Sequence, residues 1–366
     1  MAPIIVIKRR SGSLSVALPA VYVSLFTLQH LLLMFTTKRV PFAIVFPFAW
    51  RAVLLFFVYS TLICSLYTFA DCTFLAIPFV PVATIGTAVA FYVGFKNNSS
   101  YDRLWEARRI WGSLTNASRS WGIMVLDYVQ GADADDPLPR LAHRDMIYRH
   151  LAYLTAIRVQ LRQKPVWDLH HDPAHEVIER IKEFKQCSLD KELSRFLSND
   201  EVEAIIKHPN PATYLLRQQS AQLRDLRDRG YLSDFYHVDL ERMLVEFYNQ
   251  QGACERIKSF PFPRQYAFFS YLFTWLFILV LPYGLLSEMA KFSGWHIWLT
   301  VPFFTVIAWI FNTMEIVGDT SENPFENSIN DIPMTAICRN IEIDLRDMLG
   351  ETELPKRVQA VNNILM

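Results

Sequence analysis

The chain has 366 residues, 52% of them apolar and 20% charged, and its 36 basic side chains balance its 36 acidic ones. A neutral balance excludes the basic excess of a nucleic-acid binder, and the apolar content excludes intrinsic disorder, which needs low hydrophobicity and high net charge. Five scattered cysteines (Cys64, Cys72, Cys187, Cys254, Cys338) with no C-x-x-C exclude a disulfide framework and a zinc ribbon.

From the N-terminus, residues 11–37 hold no Lys, Arg, Asp or Glu, although Pro19, Gln29 and His30 interrupt the run. Lys8, Arg9 and Arg10 precede it, so a cleavable signal peptide, an interfacial helix and an extra span are all open readings. A more apolar run, AVLLFFVYSTLICSLYTFA (52–70), lies between Arg51 and Asp71. Residues 73–95 then carry no charge over 23 positions. A helix of that length spans about 34 Å at 1.5 Å per residue, enough for a hydrocarbon core about 30 Å thick.

Residues 96–263 are polar, charged and helix-prone. In 101–129, Leu104, Trp105, Ile110, Trp111 and Leu114 recur at helical spacing among Arg103, Glu106, Arg108 and Arg109. Only Gly86 and Gly94 interrupt the pattern from 83 to 129, so the second span is expected to continue out of the membrane as one long helix. A loop, GADADDPLP (131–139), ends it. Further helices are predicted over 140–163, 176–187, 189–197, 199–207, 211–228 and 232–256, closed by Pro261 and Pro263. No strand signal is present, so the expected fold is all-α. Residues 265–287 and 292–314 are two more charge-free runs of 23 residues.

Lysine and arginine placement orients the four spans. The links between paired spans carry at most Lys291, whereas Lys38, Arg39, Arg51, Lys96, Arg103, Arg108, Arg109, Arg256, Lys258 and Arg264 lie at the opposite ends. The expectation is a multi-pass protein of the cell membrane with both termini cytoplasmic. Its parts are an N-terminal segment, cytosolic or interfacial (1–42), spans 1 and 2 (43–95), a cytosolic helical domain (96–263), spans 3 and 4 (264–317) and a cytosolic C-terminal segment (318–366).

Enzymatic signatures are missing: there is no H-E-x-x-H, Walker A, G-x-G-x-x-G or G-x-S-x-G. His170, His171 and His175 form an H-H-x-x-x-H cluster, but Asp172-Pro173 between them favours a solvated turn over a metal site. No cofactor and no metal are expected. The span interiors hold no ionisable residue apart from His296, and no repeat pairs the two hairpins, which disfavours an ion-coupled carrier. Thr87, Phe91 and Phe95 recur every four residues and share one helix face, flanked by Thr84 and Ala88. The polar stretch Lys96, Asn97, Asn98, Ser99, Ser100 follows at once. Such a stripe is either ordinary lipid-facing or packing surface, or a pore constriction opening on a wet vestibule.

The run GFKNNSSYDRLWEARRIWGSL (94–114) resembles the bestrophin family in its microbial branch. RGYLSDF (229–235), GACERIKSFPFP (252–263) and ENPFENSINDIPMTAICRNIEIDLRDMLGE (322–351) are similar to further family stretches, and the resemblance covers roughly residues 40–366. It implies a homopentameric ion channel in a lipid bilayer, with five copies of the second span around the axis. Carried over, the neck residues are Thr87, Phe91 and Phe95; microbial members have isoleucine at the first two neck positions, and Thr87 departs from this. The cytosolic aperture falls on Phe235 through RGYLSDF, or on Val238 when counted back from Cys254. Lys96, Asn97, Asn98 and Arg103 are expected at the inner pore mouth.

The transported species implied are small monovalent ions, chloride and other anions foremost, with a cation-selective channel and a non-conducting scaffold as alternatives. Lys96 and Arg103 lean toward anions, but Asp102 and Glu106 lean the other way. Animal members are calcium-gated through acids that follow N-P-F. Here only Glu326 and Asp331 are acidic in that stretch, too few for the six to eight oxygens calcium takes, so no calcium gating is expected.

Overall fold

The computed structural model describes residues 42–131, 136–163, 188–292, 294–326 and 331–359. Among the described residues every regular element is a helix: α1 (Phe42–Phe69), α2 (Phe79–Tyr128), α3 (Leu138–Leu161), α4 (Leu189–Leu193), α5 (Asn199–Ile206), α6 (Pro211–Asp228), α7 (Asp234–Ser259), α8 (Arg264–Met289), α9 (Thr300–Ser321) and α10 (Met334–Met348). Residues 11–37 and the cluster His170, His171, His175 lie outside the described residues.

Four helical stretches are long and apolar enough to cross a membrane: the end of α1, the first part of α2, α8, and α9 with the turn before it. Two of their boundaries correct the sequence reading. Residues 73–78 form a 3-10 turn and a short extended link, and α2 begins at Phe79, after Pro78. Likewise Gly294 takes a positive φ and opens the 3-10 turn Gly294–Leu299, so the α-helix of the last span starts at Thr300, and it runs to Ser321. That extension places Glu315 and Asp319 on the same helix, beyond the charge-free run 292–314.

The expected long helix is present: α2 runs unbroken for 50 residues. Its residues Val82, Val89 and Val93 pack with Phe56 of α1, with Phe277, Ile278, Leu281 and Leu285 of α8, and with Phe304 and Ala308 of α9. Farther along, Trp111, Leu114, Trp121 and Val125 enter a second core with α3, α6, α7 and α10. Phe247 of α7 meets Trp121 edge-on at 5.9 Å between ring centroids, and the Tyr153 hydroxyl donates to the Phe247 carbonyl at 2.9 Å. Helix starts carry local signals. Ser198 and Glu201 close a capping box on α5, Asn210 caps α6 ahead of Pro211, and Ser233 caps α7.

Candidate functional site

An α-helix turns by about 100° per residue, so residues three and four apart form seams along it. On α2 the buried seam is Val82, Gly86, Val89, Val93, Lys96, Ser100, then Ala107, Ile110, Leu114 and on to Val125. The opposite seam is exposed from Val80 to Arg109: Val80, Thr84, Thr87, Phe91, Phe95, Asn98, Asp102, Glu106 and Arg109. Phe91 is 67% and Phe95 61% exposed. Thr87, Phe91 and Phe95 therefore share one free face, spread over about 12 Å of helix axis.

Lys96, Asn97 and Arg103, three of the four residues expected at the inner pore mouth, are not on that face. Lys96 is 1% exposed, and its ammonium sits 2.6 Å from Glu315 Oε1 of α9. Asn97 is half-buried and donates its amide to the Met314 carbonyl at 3.1 Å. The Arg103 guanidinium donates to the carbonyls of Ile257 (2.6 Å) and Phe260, closing the C-terminal end of α7. The reason is the 100° step: a residue adjacent in sequence to Phe95 is turned away from it. Of the four, Asn98 stays on the free seam, and Asp102 and Glu106 follow it.

The lower part of α2 is joined by a second exposed seam, on α7. There Phe235, Val238, Arg242, Val245, Asn249, Gly252 and Arg256 are exposed at alternating steps of three and four. Arg256 pairs with Glu106 at 2.6 Å, which ties the two seams together at one end. At the other end Tyr236 stacks on Tyr128 with ring centroids 4.1 Å apart. Phe235 is 86% and Val238 48% exposed, both at the start of α7. The 33 residues from Phe95 to Tyr128 place the Phe235 end about 50 Å along the helix axis from Phe95.

The two acids after N-P-F are used by the protein itself. Glu326 takes Lys258 at 3.2 Å. Asp331 accepts the backbone N–H groups of Phe325 (2.8 Å) and Ile332 (2.7 Å) through Oδ1. The first of these contacts holds buried Phe325 at a positive φ of 76°. Among the described residues no group of three or more His, Cys, Asp or Glu could hold a metal ion.

The family profile described as Bacterial/Fungal Bestrophin protein matches residues 28–347. The chain belongs to that bestrophin family. It is an ion-channel family and not an enzyme family. Relatives of this bestrophin include the voltage-dependent anion channel-forming protein YneE of Escherichia coli (strain K12), 28% identical over 279 residues, 76% of this chain and 79% of that one. The voltage-dependent anion channel-forming protein mll4386 of Mesorhizobium japonicum is 26% identical over 306 residues, 83% of this chain and 86% of that one. A solved bacterial bestrophin homolog from Klebsiella pneumoniae superposes with a TM-score of 0.70 at 24% identity, covering 83% of this chain and 99% of the other. That likeness fixes the fold.

Proposed function

We propose that this bestrophin is the subunit of a homopentameric channel that passes chloride and other small monovalent anions across a cell membrane. Five α2 helices surround the axis, with Thr87, Phe91 and Phe95 as the neck and Phe235, with Val238 beside it, as the cytosolic aperture. The observation that carries the reading is the free seam of α2, which runs without interruption from Thr87 to Arg109 while the opposite seam is packed. A lipid-facing stripe would have no need to continue past the membrane into Asn98, Asp102 and Glu106. The proposed subunit has spans at 43–95 and 264–317, a cytosolic or interfacial remainder, and both termini inside, on the placement of Lys and Arg.

A narrow apolar ring resists ions because it offers nothing in place of their water. The idealised cost of moving a bare ion into a low-dielectric medium is of order 20 kcal/mol, so conduction requires partly hydrated ions and a widened neck. Rings of phenylalanine gate by dewetting when narrow, and the positive edges of aromatic rings favour anions. Calcium gating is not part of the proposal: only Glu326 and Asp331 are acidic in the stretch after N-P-F, too few for the six to eight oxygens calcium takes.

Anion selectivity is supported by the relatives' names as anion channel-forming proteins. One observation favours a cation-selective second reading: Lys96 and Arg103 are turned away from the free seam, whereas Asp102 lies on it. Purified protein in planar bilayers under a potassium chloride gradient separates the two. A reversal potential near the chloride equilibrium potential is expected, and one near that of potassium establishes the second reading. Phe91→Ala with Phe95→Ala is expected to leave the channel constitutively open. Currents equal to wild type in size and gating would remove the neck assignment.

A further inference from the structure

Lys96 directly follows the last proposed neck residue, yet it is turned about 100° from it and is buried at a junction of α2, α8 and α9. Its Nζ lies 2.6 Å from Glu315 Oε1 on α9 and 3.8 Å from Asp319 Oδ1. The other carboxylate oxygen of Glu315 accepts the hydroxyl of Ser270 on α8 at 2.7 Å, and Ser270 is fully buried. Beside this triad Asn97 binds the Met314 carbonyl, and its side chain fills the space that a Cβ on Gly318 would occupy. Four consecutive contacts of α9, at Met314, Glu315, Gly318 and Asp319, thus grip one turn of α2 immediately after Phe95.

A buried ion pair is a poor device for stability, since well-packed apolar residues of similar volume do as well or better. Its distinctive contribution is to select one geometry, as buried polar groups do where they fix register. What it selects here is the rotation of α2 about its own axis. Side-chain tips sit about 5–6 Å from a helix axis, so a rotation of roughly 20° would carry the Phe95 ring tip about 2 Å. In a ring of five phenylalanines that displacement separates a dewetted neck from a hydrated one. The packed valine seam above Lys96 constrains α2 by shape, and the triad adds directional contacts at the turn that carries Phe95.

We propose that the Lys96–Glu315–Ser270 triad is the positioning element of the neck: it holds Phe95 in its narrow setting and so sets the fraction of time the channel is open. The inference rests on the neck reading above. Lys96→Met combined with Glu315→Met removes both charges together, so no lone charge is left buried. In single-channel recordings of the purified full-length protein, this double variant is expected to raise open probability at least about threefold. Unitary conductance and reversal potential, set by the pore wall, stay at wild-type values. Lys96→Arg keeps the charge and is expected to behave as wild type. Ser270→Ala keeps the ion pair, loses one hydrogen bond and is expected to raise open probability about twofold; it carries the test should the double variant fail to fold. Unchanged or reduced open probability in folded double variant, or in Ser270→Ala, overturns the proposal. If Phe91→Ala with Phe95→Ala abolishes gating while the triad variants do nothing, the neck stands and the positioning role falls. If neither set alters conduction, the neck reading itself falls.

Discussion

Glu322 and His150 are buried titratable side chains with opposite consequences for stability. Glu322 follows α9, and its Oε2 is buried without a hydrogen-bond partner. Burial, then the charge of Asp319, pushes its carboxyl up to about 7, against the pull of Lys96, Arg264 and Arg103. The folded state therefore holds this proton more tightly than the unfolded chain, where the group titrates near 4.5. Its contribution is fully present below pH 4.5 and is lost as pH rises through 7. His150 is buried against Trp121 and Phe247 with Nε2 2.9 Å from Ser118 Oγ, and burial pushes its pKa down to about 3. Its contribution is present above pH 6.5 and is lost as pH falls toward 3. The two slopes oppose each other between pH 4.5 and 6.5. Glu322→Gln is expected to unmask the His150 slope, so that the melting temperature of the purified variant falls by roughly 3–5 °C on acidification across that window while wild type stays nearly flat. A variant that matches wild type at every pH would show that Glu322 is not proton-loaded in the folded state. Residue by residue, the shared exposed face of Thr87, Phe91 and Phe95 was legible because these residues obey the helix period without help from any other element. Lys96 and Arg103 were not, because the partners that turn them inward, Glu315 and the carbonyls of 257 and 260, lie more than 150 positions away. Glu315 itself was hidden because it ends a charge-free run, so it looked like a flank instead of part of a span.

Among the elements, the contact of α2 with α8 depends on a glycine. A Cβ on Gly86 would come within 2.6 Å of Phe277 Cε2 and 2.8 Å of Cζ. Phe277 cannot swing clear, because it is buried and packs on Phe311 with centroids 4.6 Å apart. Small residues at membrane helix interfaces permit this close approach. Gly86→Ala is expected to destabilise the protein by about 1–3 kcal/mol through overpacking, visible as a lower melting temperature in detergent. Gly112, also on α2, has open space where a Cβ would go. Gly112→Ala is expected to be neutral or to stabilise by about 0.5–1 kcal/mol from helix propensity. Equal effects of the two substitutions would contradict the packing. At this scale the helices beyond the membrane were the most legible, since polar caps mark their starts: 211–228 matches α6 at both ends, and α7 is displaced by a few residues from 232–256. Span boundaries were less so. Absence of charge reports where lipid or core is tolerated, whereas a helix begins where backbone hydrogen bonding can begin. Pro78 and Gly294 moved both starts inward, by six residues at Phe79 and by eight at Thr300.

In the molecule as a whole, α2 and α7 carry Phe95 and Phe235, the proposed neck and aperture residues, on two exposed seams that meet through Glu106–Arg256 and Tyr128–Tyr236. Phe95 lies at the head of the polar half of α2 and Phe235 at the foot, about 50 Å apart along the helix axis. Their surroundings differ. The turn of α2 after Phe95 is held by α9 through Lys96 and Asn97, so loosening those contacts would let α2 rotate and carry Phe95 with it. Phe235 stands on the first turn of α7, largely exposed and next to a stacked Tyr236–Tyr128 pair. A fixed ring sorts ions by size and hydration, while a ring that moves decides when they pass. Phe235→Ala is therefore expected to change relative permeability among halides at unaltered open probability, and Phe95→Ala to change open probability at nearly unaltered permeability ratios. Sites this far apart without shared partners act independently to within about 0.5 kcal/mol, so the double variant should show the product of the single effects within roughly twofold. The measurement is a bi-ionic reversal potential combined with single-channel dwell times for all four proteins. A double variant departing from the product by tenfold would mean that the two rings are coupled through the length of α2, and that the helix does not behave as a rigid wall between them.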